Sequence, residues 1–152
     1  MIYKKTWKYI LIRTNSCVRL YKLKAVKDFS DVKKGNLGGY VDGYYNLSQF
    51  GNCWIYGLAE VHDRAYVSEN AKVSGKAGVY GYAKVYGDAI VCGNAQISGF
   101  AQVFENAKIF GSVSVYGKSM IYGVAHISEY VYFTGNSQVY DDATVLKNAI
   151  AK

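Results

Sequence analysis

The chain has 152 residues, a formal net charge of +7 at neutral pH, 16 glycines and no proline. This length corresponds to a single domain, and no apolar run is long enough for a membrane-spanning helix. The three cysteines are an odd number without the spacing of metal ligands, so we expect reduced thiols and no metal. The first residues lack the apolar stretch and the cleavage site of a secretory signal, which predicts a cytoplasmic protein without membrane contact.

Positive charge is concentrated near the N-terminus. Residues 1–35 contain ten Lys or Arg and two Asp, whereas the remaining residues contain eight basic and nine acidic side chains. The first segment therefore has a net charge of +8, and the rest of the chain is close to neutral. Such an asymmetry separates a basic N-terminal unit from a neutral body.

The N-terminal unit is predicted to begin with a β-hairpin. Strand-forming residues at 7–13 and 17–26 flank the turn-prone residues 14–16. Residues 27–46 contain four glycines and are predicted to be an irregular connection. We assign residues 1–46 to a basic cap with its connection. A cap is expected here because an open solenoid end exposes apolar core and an unpaired strand edge.

The body, residues 47–152, is organised by a six-residue repeat. From Cys53 to Ala149 a small residue returns every six positions, and the residue two places later is Val or Ile in fifteen of sixteen units. Two places further on, ten of the sixteen residues are Gly, which gives the unit A-x-V-x-G-x. The small and β-branched residues point to the same side of a strand, and Gly provides the backbone conformation of a tight bend.

A hexapeptide period predicts a parallel β-helix, an all-β solenoid. With three repeats to a coil, as in the left-handed β-helix of hexapeptide-repeat proteins that this pattern resembles, we expect about five coils. Gly usually follows the aliphatic residue directly in such proteins, whereas here it comes one position later. The register has no insertion anywhere between Cys53 and Ala149.

Three segments around the start of the repeat carry a resemblance. DFSDVKKG (28–35), GGYVDG (38–43) and NLSQFGNCWIYG (46–57) are similar to the YdcK-like hexapeptide-repeat family, whose relatives occur in bacteria and in phage or prophage genomes. The resemblance implies a β-helix and a transferase label that depends mainly on the fold. It provides no catalytic residues for this chain.

Catalysis has little support in the sequence. His62 and His126 occupy outward strand positions on different faces, and no long insertion is present to close over an acyl carrier. We therefore expect a protein that is not an enzyme and needs no cofactor. His126 is the better catalytic candidate of the two, because Lys108 is predicted to lie one coil below it. The alternative function is that of a hexapeptide-type acyltransferase.

One outward column of the predicted solenoid is aromatic over four coils: Tyr86, Phe104, Tyr122 and Tyr140. These rings are expected to stack on one another between neighbouring coils. The same column has the composition of a binding surface, so we also hypothesise a homo-oligomer that associates through this aromatic face or through the open C-terminal coil.

The basic cap is the second candidate surface. We expect it to bind an acidic protein or a nucleic-acid backbone, although lysine-rich surfaces also serve solubility alone. The candidate residues are Lys4, Lys5, Lys8, Arg13, Arg19, Lys22 and Lys24. The sequence thus favours a non-enzymatic binding or scaffold protein, with the acyltransferase as one alternative and a small phage-type inhibitor or sponge of a host protein or nucleotide signal as another.

Overall fold

The computed structural model describes residues 7–15 and 19–146, together with the backbone of residues 150 and 151. These residues form twenty short β-strands, numbered β1 to β20 along the chain, and one 3-10 turn at Tyr44–Asn46. The strands stack as three parallel walls around a common core, so the predicted all-β solenoid is confirmed. None of the described residues belongs to a helix with the length and apolarity needed to span a membrane.

The first wall has nine strands and joins the cap to the repeat. In sheet order these strands are β1 (Tyr9–Arg13), β2 (Tyr21–Ala25), β3 (Leu37–Val41), β5 (Glu60–Val61), β8 (Gly78–Val79), β11 (Gln96–Ile97), β14 (Ser112–Val115), β17 (Tyr130–Phe133) and β20 (Ile150–Ala151). Pairing is antiparallel from β1 to β3 and parallel from β3 onward. The cap is therefore a continuation of one wall of the solenoid.

The other two walls consist of repeat strands alone. The six-stranded wall contains β4 (Trp54–Ile55), β7 (Lys72–Val73), β10 (Ile90–Val91), β13 (Lys108–Ile109), β16 (His126–Ser128) and β19 (Thr144–Leu146). The five-stranded wall contains β6 (Tyr66–Val67), β9 (Lys84–Val85), β12 (Gln102–Val103), β15 (Met120–Ile121) and β18 (Gln138–Val139). The six strands of the second wall correspond to about six turns, one more than we expected.

The core contains the residues that the repeat predicts. The small residue of each unit and the apolar residue two places later are buried from Cys53 to Phe133. Each buried Val or Ile contributes roughly 1.5–3 kcal/mol of apolar transfer free energy, so a regular ladder of them stabilises the whole stack. Coverage declines in the last coil, where Ala143 and Val145 are only partly buried.

Acidic residues replace Gly at five of the left-handed turns. Asp63, Glu69, Glu105, Glu129 and Asp141 stand at the Gly position and have φ between 55° and 66°. Two of their carboxylates accept a hydrogen bond from the backbone of the next turn: Gly81 N–H donates to Asp63 Oδ2 at 3.1 Å, and Gly123 N–H donates to Glu105 Oε2 at 2.7 Å. This bond offsets part of the cost of a left-handed backbone in a residue with a side chain.

The connection at residues 27–46 is more regular than predicted, because it contains β3 and the 3-10 turn. Glycine is required in β3 for close packing: a Cβ on Gly38 would lie 2.7 Å from the carbonyl oxygen of Ile55, and one on Gly39 would meet the carbonyl oxygen of Ala59. Val41 and Leu47 are buried and add inward side chains before Cys53. The solenoid therefore begins before the repeat does.

The hairpin is confirmed for Tyr9–Arg13 and Tyr21–Ala25, with Tyr9 opposite Ala25 and Arg13 opposite Tyr21. The outer edge of β1 is closed by side chains. Gln49 Oε1 accepts from Tyr9 N–H at 3.3 Å, Gln49 Nε2 donates to Tyr9 O at 3.2 Å, and Leu11 N–H donates to Tyr44 Oη at 3.3 Å. These bonds occupy edge groups that another strand would otherwise pair with.

The DFSDVKKG segment fastens the connection to the first coil. Phe29 packs edge-on against Trp54 with ring centroids 5.3 Å apart, and Asp31 Oδ1 accepts from Tyr56 Oη at 2.9 Å and from Lys72 Nζ at 3.1 Å. Trp54 lies between the inward residues Cys53 and Ile55, a position that points outward in the repeat, but it is buried. The reason is that Phe29 and β3 cover the outer side of the solenoid at this level.

Candidate functional site: a pocket at Gly78

The nine-stranded wall has a concavity where a side chain is missing. In the repeat from residue 53 onward, the residue between the small and the β-branched position points outward, and only at Gly78 is it glycine. A Cβ on Gly78 would lie 2.6 Å from Gln96 Oε1, so the amide of Gln96 leans into the space. The resulting cavity has a volume of about 480 Å³. We call it the Gly78 pocket; it is lined by Leu20, Tyr40, Leu58, Glu60, His62, Lys76, Ala77, Gly78 and Gln96.

The pocket lies at the junction of cap and solenoid. Tyr40 pairs with Glu60, Glu60 with Gly78, and Gly78 with Gln96, so these residues form one outward column. Leu20 reaches the same space from the cap. A smaller cavity of about 250 Å³ shares Leu20, Glu60 and His62 with it and adds Arg19 and Asp42. The combined site presents charges of both signs and one imidazole.

The imidazole of His62 is held from two sides. Its ring is stacked face to face on Tyr80, with centroids 5.2 Å apart and planes within 2°. Its Nδ1 lies 3.4 Å from Asp63 Oδ1. The hydrogen bond from Gly81 N–H and, with a smaller effect, the interaction with His62 lower the pKa of the Asp63 carboxyl. This carboxyl is therefore ionised at neutral pH. A carboxylate at Nδ1 favours the tautomer that leaves Nε2 free to accept a proton.

The pair His62–Asp63 is thus suited to general-base chemistry. The fold provides it because Asp63 has a left-handed backbone conformation directly after His62, and its carboxylate lies beside the imidazole. Glu60 precedes His62 by two residues on the same side of the wall, and Lys76 lines the same cavity. Anionic, cationic and proton-accepting groups therefore converge on one cavity.

His126, the candidate that we favoured from the sequence, has a poorer setting. It pairs with Lys108 in the six-stranded wall, as expected, and its ring contacts Phe110 with centroids 5.1 Å apart. The side chain is exposed, and within the described part of the chain no acid forms an ion pair with it. The geometry therefore favours His62 over His126.

The basic cap residues differ in their placement. Arg13, Arg19 and Lys24 are exposed, and Lys22 is half-buried with its Nζ 4.3 Å from the centroid of the Tyr40 ring. Lys4 and Lys5 lie outside the described residues. Lys8 differs from our expectation: it is buried, and its Nζ donates to Cys53 O at 2.8 Å. It therefore belongs to the junction between cap and core, and its charge is not presented to a partner.

The aromatic face forms a continuous stack on the five-stranded wall. Ring centroids are 5.0 Å apart for Tyr86–Phe104, 4.9 Å for Phe104–Tyr122 and 5.4 Å for Tyr122–Tyr140. The Tyr86 hydroxyl donates to Gln102 Oε1 at 2.9 Å, which fixes the first ring of the stack. The predicted stacking between coils is confirmed.

The Gly78 pocket was missed by the sequence reasoning, although two signals for it are present. One is the single Gly at an outward strand position, and the other is an acid at the turn directly after a histidine, Asp63 after His62. Both signals become meaningful only when the coils are stacked. Leu20, in contrast, lines the pocket only because the cap folds back toward the wall. Nothing in the sequence around Leu20 indicates that contact.

No protein-family model matches the chain. It is similar to the uncharacterized acetyltransferase YdcK of Escherichia coli (strain K12), with 39% identity over 62 residues. These residues cover 40% of this chain and 19% of the relative, so the chain matches about a fifth of that protein's length. Together with the stacked parallel coils, this similarity fits a protein of the hexapeptide-repeat type.

Proposed function

We propose that the chain is an acyltransferase in which His62 acts as the general base of the Gly78 pocket. The observation that carries this proposal is the pairing of His62 with Asp63 beside a cavity of about 480 Å³ that charged side chains line. The similarity to a protein named as an acetyltransferase supports the same reaction class. Acyl transfer was the alternative that the sequence left open, and the geometry of His62 now favours it.

The reaction requires little beyond a base and a place for two substrates. An acceptor amine or hydroxyl in the pocket loses its proton to His62 Nε2 while its nitrogen or oxygen attacks the carbonyl carbon of an acyl thioester. The thioester C–S bond then breaks, and the thiolate leaves with the proton from the imidazolium. Asp63 stabilises that imidazolium through Nδ1, as a carboxylate does in other histidine bases.

The charges around the pocket suit an anionic acyl donor. Arg19 and Lys76 line the two connected cavities, and the exposed Lys24 lies on β2 of the same wall. A donor with phosphate groups, such as acetyl-CoA, would be attracted to this end of the solenoid. Glu60 lies between Tyr40 and Gly78 in the outward column and lines both cavities, so it is placed to accept a hydrogen bond from an acceptor amine.

The test is thiol release from acetyl-CoA in the presence of a panel of small amines and alcohols. We expect His62→Ala to lower the rate by roughly 10²- to 10⁴-fold, the usual contribution of a general base. Asp63→Gly removes the carboxylate at a turn position where most repeats already have Gly, so we expect a smaller loss. Glu105→Gly is the matched control, since it removes an equivalent turn acid that also bonds the next coil.

His126→Ala is the second control and is expected to keep the wild-type rate. The proposal fails if His62→Ala and wild type release thiol equally fast. It also fails if acetyl-CoA neither reacts with any acceptor nor raises the melting temperature of the wild-type chain.

The second candidate function is binding of an acidic partner by the cap without catalysis. The favouring observation is the outer side of the hairpin, where exposed Ile10 and Ile12 pair with Lys24 and Lys22. Neither strand of this hairpin contains an acidic residue, so the surface is uniformly basic and partly apolar. Binding to DNA, RNA or an acidic protein that falls steeply with salt, and is lost in the Lys22→Glu/Lys24→Glu variant but kept in His62→Ala, would favour this function.

A further inference from the structure

On the nine-stranded wall, next to the Gly78 pocket, a column of outward ring side chains is interrupted by a residue without a ring. The outward column beside it runs through His62, Tyr80, Ser98 and Tyr116, which occupy equivalent places because Tyr80 N–H donates to Ile97 O and Ser98 N–H donates to Val115 O. His62 and Tyr80 stack face to face. Ser98 follows with a side chain too small to continue the stack, and Tyr116 comes one coil later.

The aromatic face on the five-stranded wall shows what a filled column looks like. There Tyr86, Phe104 and Tyr122 stack at 5.0 and 4.9 Å with planes within 5° of parallel. Rings at equivalent positions of successive coils therefore lie at the distance of an aromatic stack. A coil without a ring leaves room for one planar group, and at Ser98 the face of Tyr80 that is turned away from His62 has no ring partner within the described residues.

A hydrogen-bonding side chain starts beside Ser98, and its amide is directed toward the preceding coil. Gln96 precedes Ser98 by two residues on the same side of the strand, and its amide leans over Gly78. The amides of Gln102 and Gln138 on the five-stranded wall accept bonds from the Tyr86 and Tyr122 hydroxyls, at 2.9 and 3.5 Å. The Gln96 amide has no such bond to any residue that the structure describes, so its donors and its acceptor are available to a ligand.

We propose that the gap at Ser98 binds an adenine base. The base stacks on Tyr80 in the place of the missing ring. The Gln96 amide turns from Gly78 toward Ser98 and pairs with the exocyclic amino group and N7 of the base, the pairing that glutamine makes with adenine. Lys76, which lines the Gly78 pocket beside Gln96, provides positive charge for a phosphate attached to the same nucleoside. This site does not depend on acyl transfer, since it would bind a free nucleoside as well as a larger adenine-containing molecule.

Calorimetric binding of adenosine, inosine and adenosine 5′-monophosphate to the full chain tests the proposal. We expect adenosine to bind and inosine to bind at least tenfold more weakly, because inosine carries an oxygen acceptor where adenosine carries the amino donor. We expect the monophosphate to bind more tightly than adenosine. The titrations contain no acyl donor, so failure of the acyltransferase proposal leaves their outcome unaffected.

Ser98→Tyr is the decisive variant, since it fills the gap with the protein's own ring. It is expected to keep or raise the melting temperature and to weaken adenosine binding at least tenfold. Ser68→Tyr, which fills the corresponding gap below Tyr86 on the five-stranded wall, is the matched control and should bind as wild type does. Gln96→Leu leaves the gap open and should also weaken adenosine binding about tenfold.

The proposal is wrong if Ser98→Tyr binds adenosine as wild type does, or if adenosine and inosine bind equally. It is also wrong if Gln96→Leu folds and retains full affinity. A wild-type chain that shows no heat of binding with any of the three ligands at millimolar concentration overturns it as well.

Discussion

The ammonium of Lys8 lies 3.2 Å from the Sγ of Cys53 and 2.8 Å from the carbonyl oxygen of the same residue, with both side chains buried. Cys53 is the first small residue of the repeat, and Lys8 directly precedes the first strand of the cap. The Lys8 amine also donates to Phe50 O and Gly51 O, at 3.4 and 3.3 Å. A lysine that covers the end of an apolar core thus links the cap to the first coil through backbone carbonyls.

This burial predicts that stability depends on pH through Lys8. Desolvation lowers the pKa of Lys8 below its ordinary value of 10.5, so the folded chain releases this proton at a lower pH than the unfolded chain does. Between those two pKa values the unfolded state binds more protons, and the free energy of unfolding therefore rises with pH, by at most about 1.4 kcal/mol per pH unit. Burial raises the pKa of the Cys53 thiol above its ordinary 9.0, and its ionisation acts in the opposite direction above that pH. The contribution of Lys8 is therefore taken from the difference between wild type and a variant without Lys8.

The test is urea unfolding of wild type and Lys8→Met between pH 7 and 10.5, the ordinary pKa of lysine. We expect the stability of the variant relative to wild type to fall as pH rises, since the variant lacks the Lys8 contribution. Lys24→Met, which removes an exposed lysine of the same hairpin, should follow the wild-type profile. Parallel profiles for wild type and Lys8→Met would contradict the prediction.

Stacking of the turns predicts a large difference between two glycines. Gly93 has φ +73°, and a Cβ there would lie 2.7 Å from the backbone nitrogen of Gly111 in the next coil. Gly35 has φ +92°, but a Cβ there would meet no atom within 4 Å. Gly35→Ala is therefore expected to cost about 1 kcal/mol of backbone strain, whereas Gly93→Ala should cost roughly 2–4 kcal/mol because the coils must also separate. Equal unfolding midpoints for the two variants would show that the turns are not in contact.

The stacked coils were predictable because each repeat unit contains, within six residues, the pattern that determines its structure. A small residue, a β-branched residue and a turn residue recur in every unit, and burial of Ala95 and Ile97 follows from their place in that unit. The strand pattern of Tyr9–Arg13 and Tyr21–Ala25 was predictable for the same reason.

Features that depend on distant segments were not predictable. Trp54 is buried by Phe29, and Lys8 is buried against Cys53, contacts that join parts of the chain 25 or more residues apart. A lysine within a basic segment gives no sign that it turns inward. The Gly78 pocket needed both the register of the coils, which the repeat provides, and the position of Leu20, which it does not.

The connection predicts a loss of stability in acid. Bonds from the Tyr56 hydroxyl, and with a smaller effect from Lys72, lower the pKa of the Asp31 carboxyl below its ordinary value of 3.8. A lowered pKa of an acid contributes stability that is present above pH 3.8 and is lost as pH falls through the folded-state value. Asp31→Asn should therefore unfold at a lower urea concentration than wild type at pH 6 and should approach wild type near pH 2. If the difference in stability between Asp31→Asn and wild type is the same at pH 6 and pH 2, the contacts of Asp31 do not depend on its ionisation and the prediction is wrong.

The aromatic face predicts that the chain self-associates and that this association depends on Tyr140, the last ring of the stack. Tyr86, Phe104 and Tyr122 use their ring faces to stack on one another, so a partner would contact their edges and the exposed Tyr140, which retains 48% of its surface. We expect light scattering to show an oligomer at micromolar concentration and Tyr140→Lys to shift it toward monomer, because a charge there opposes burial in an interface. Tyr116→Lys, at a similarly exposed ring on the nine-stranded wall, is the matched control and should leave the oligomer unchanged. A wild-type chain that remains monomeric at high concentration would rule out this face as the interface and would leave its rings with a purely internal role in holding neighbouring coils together.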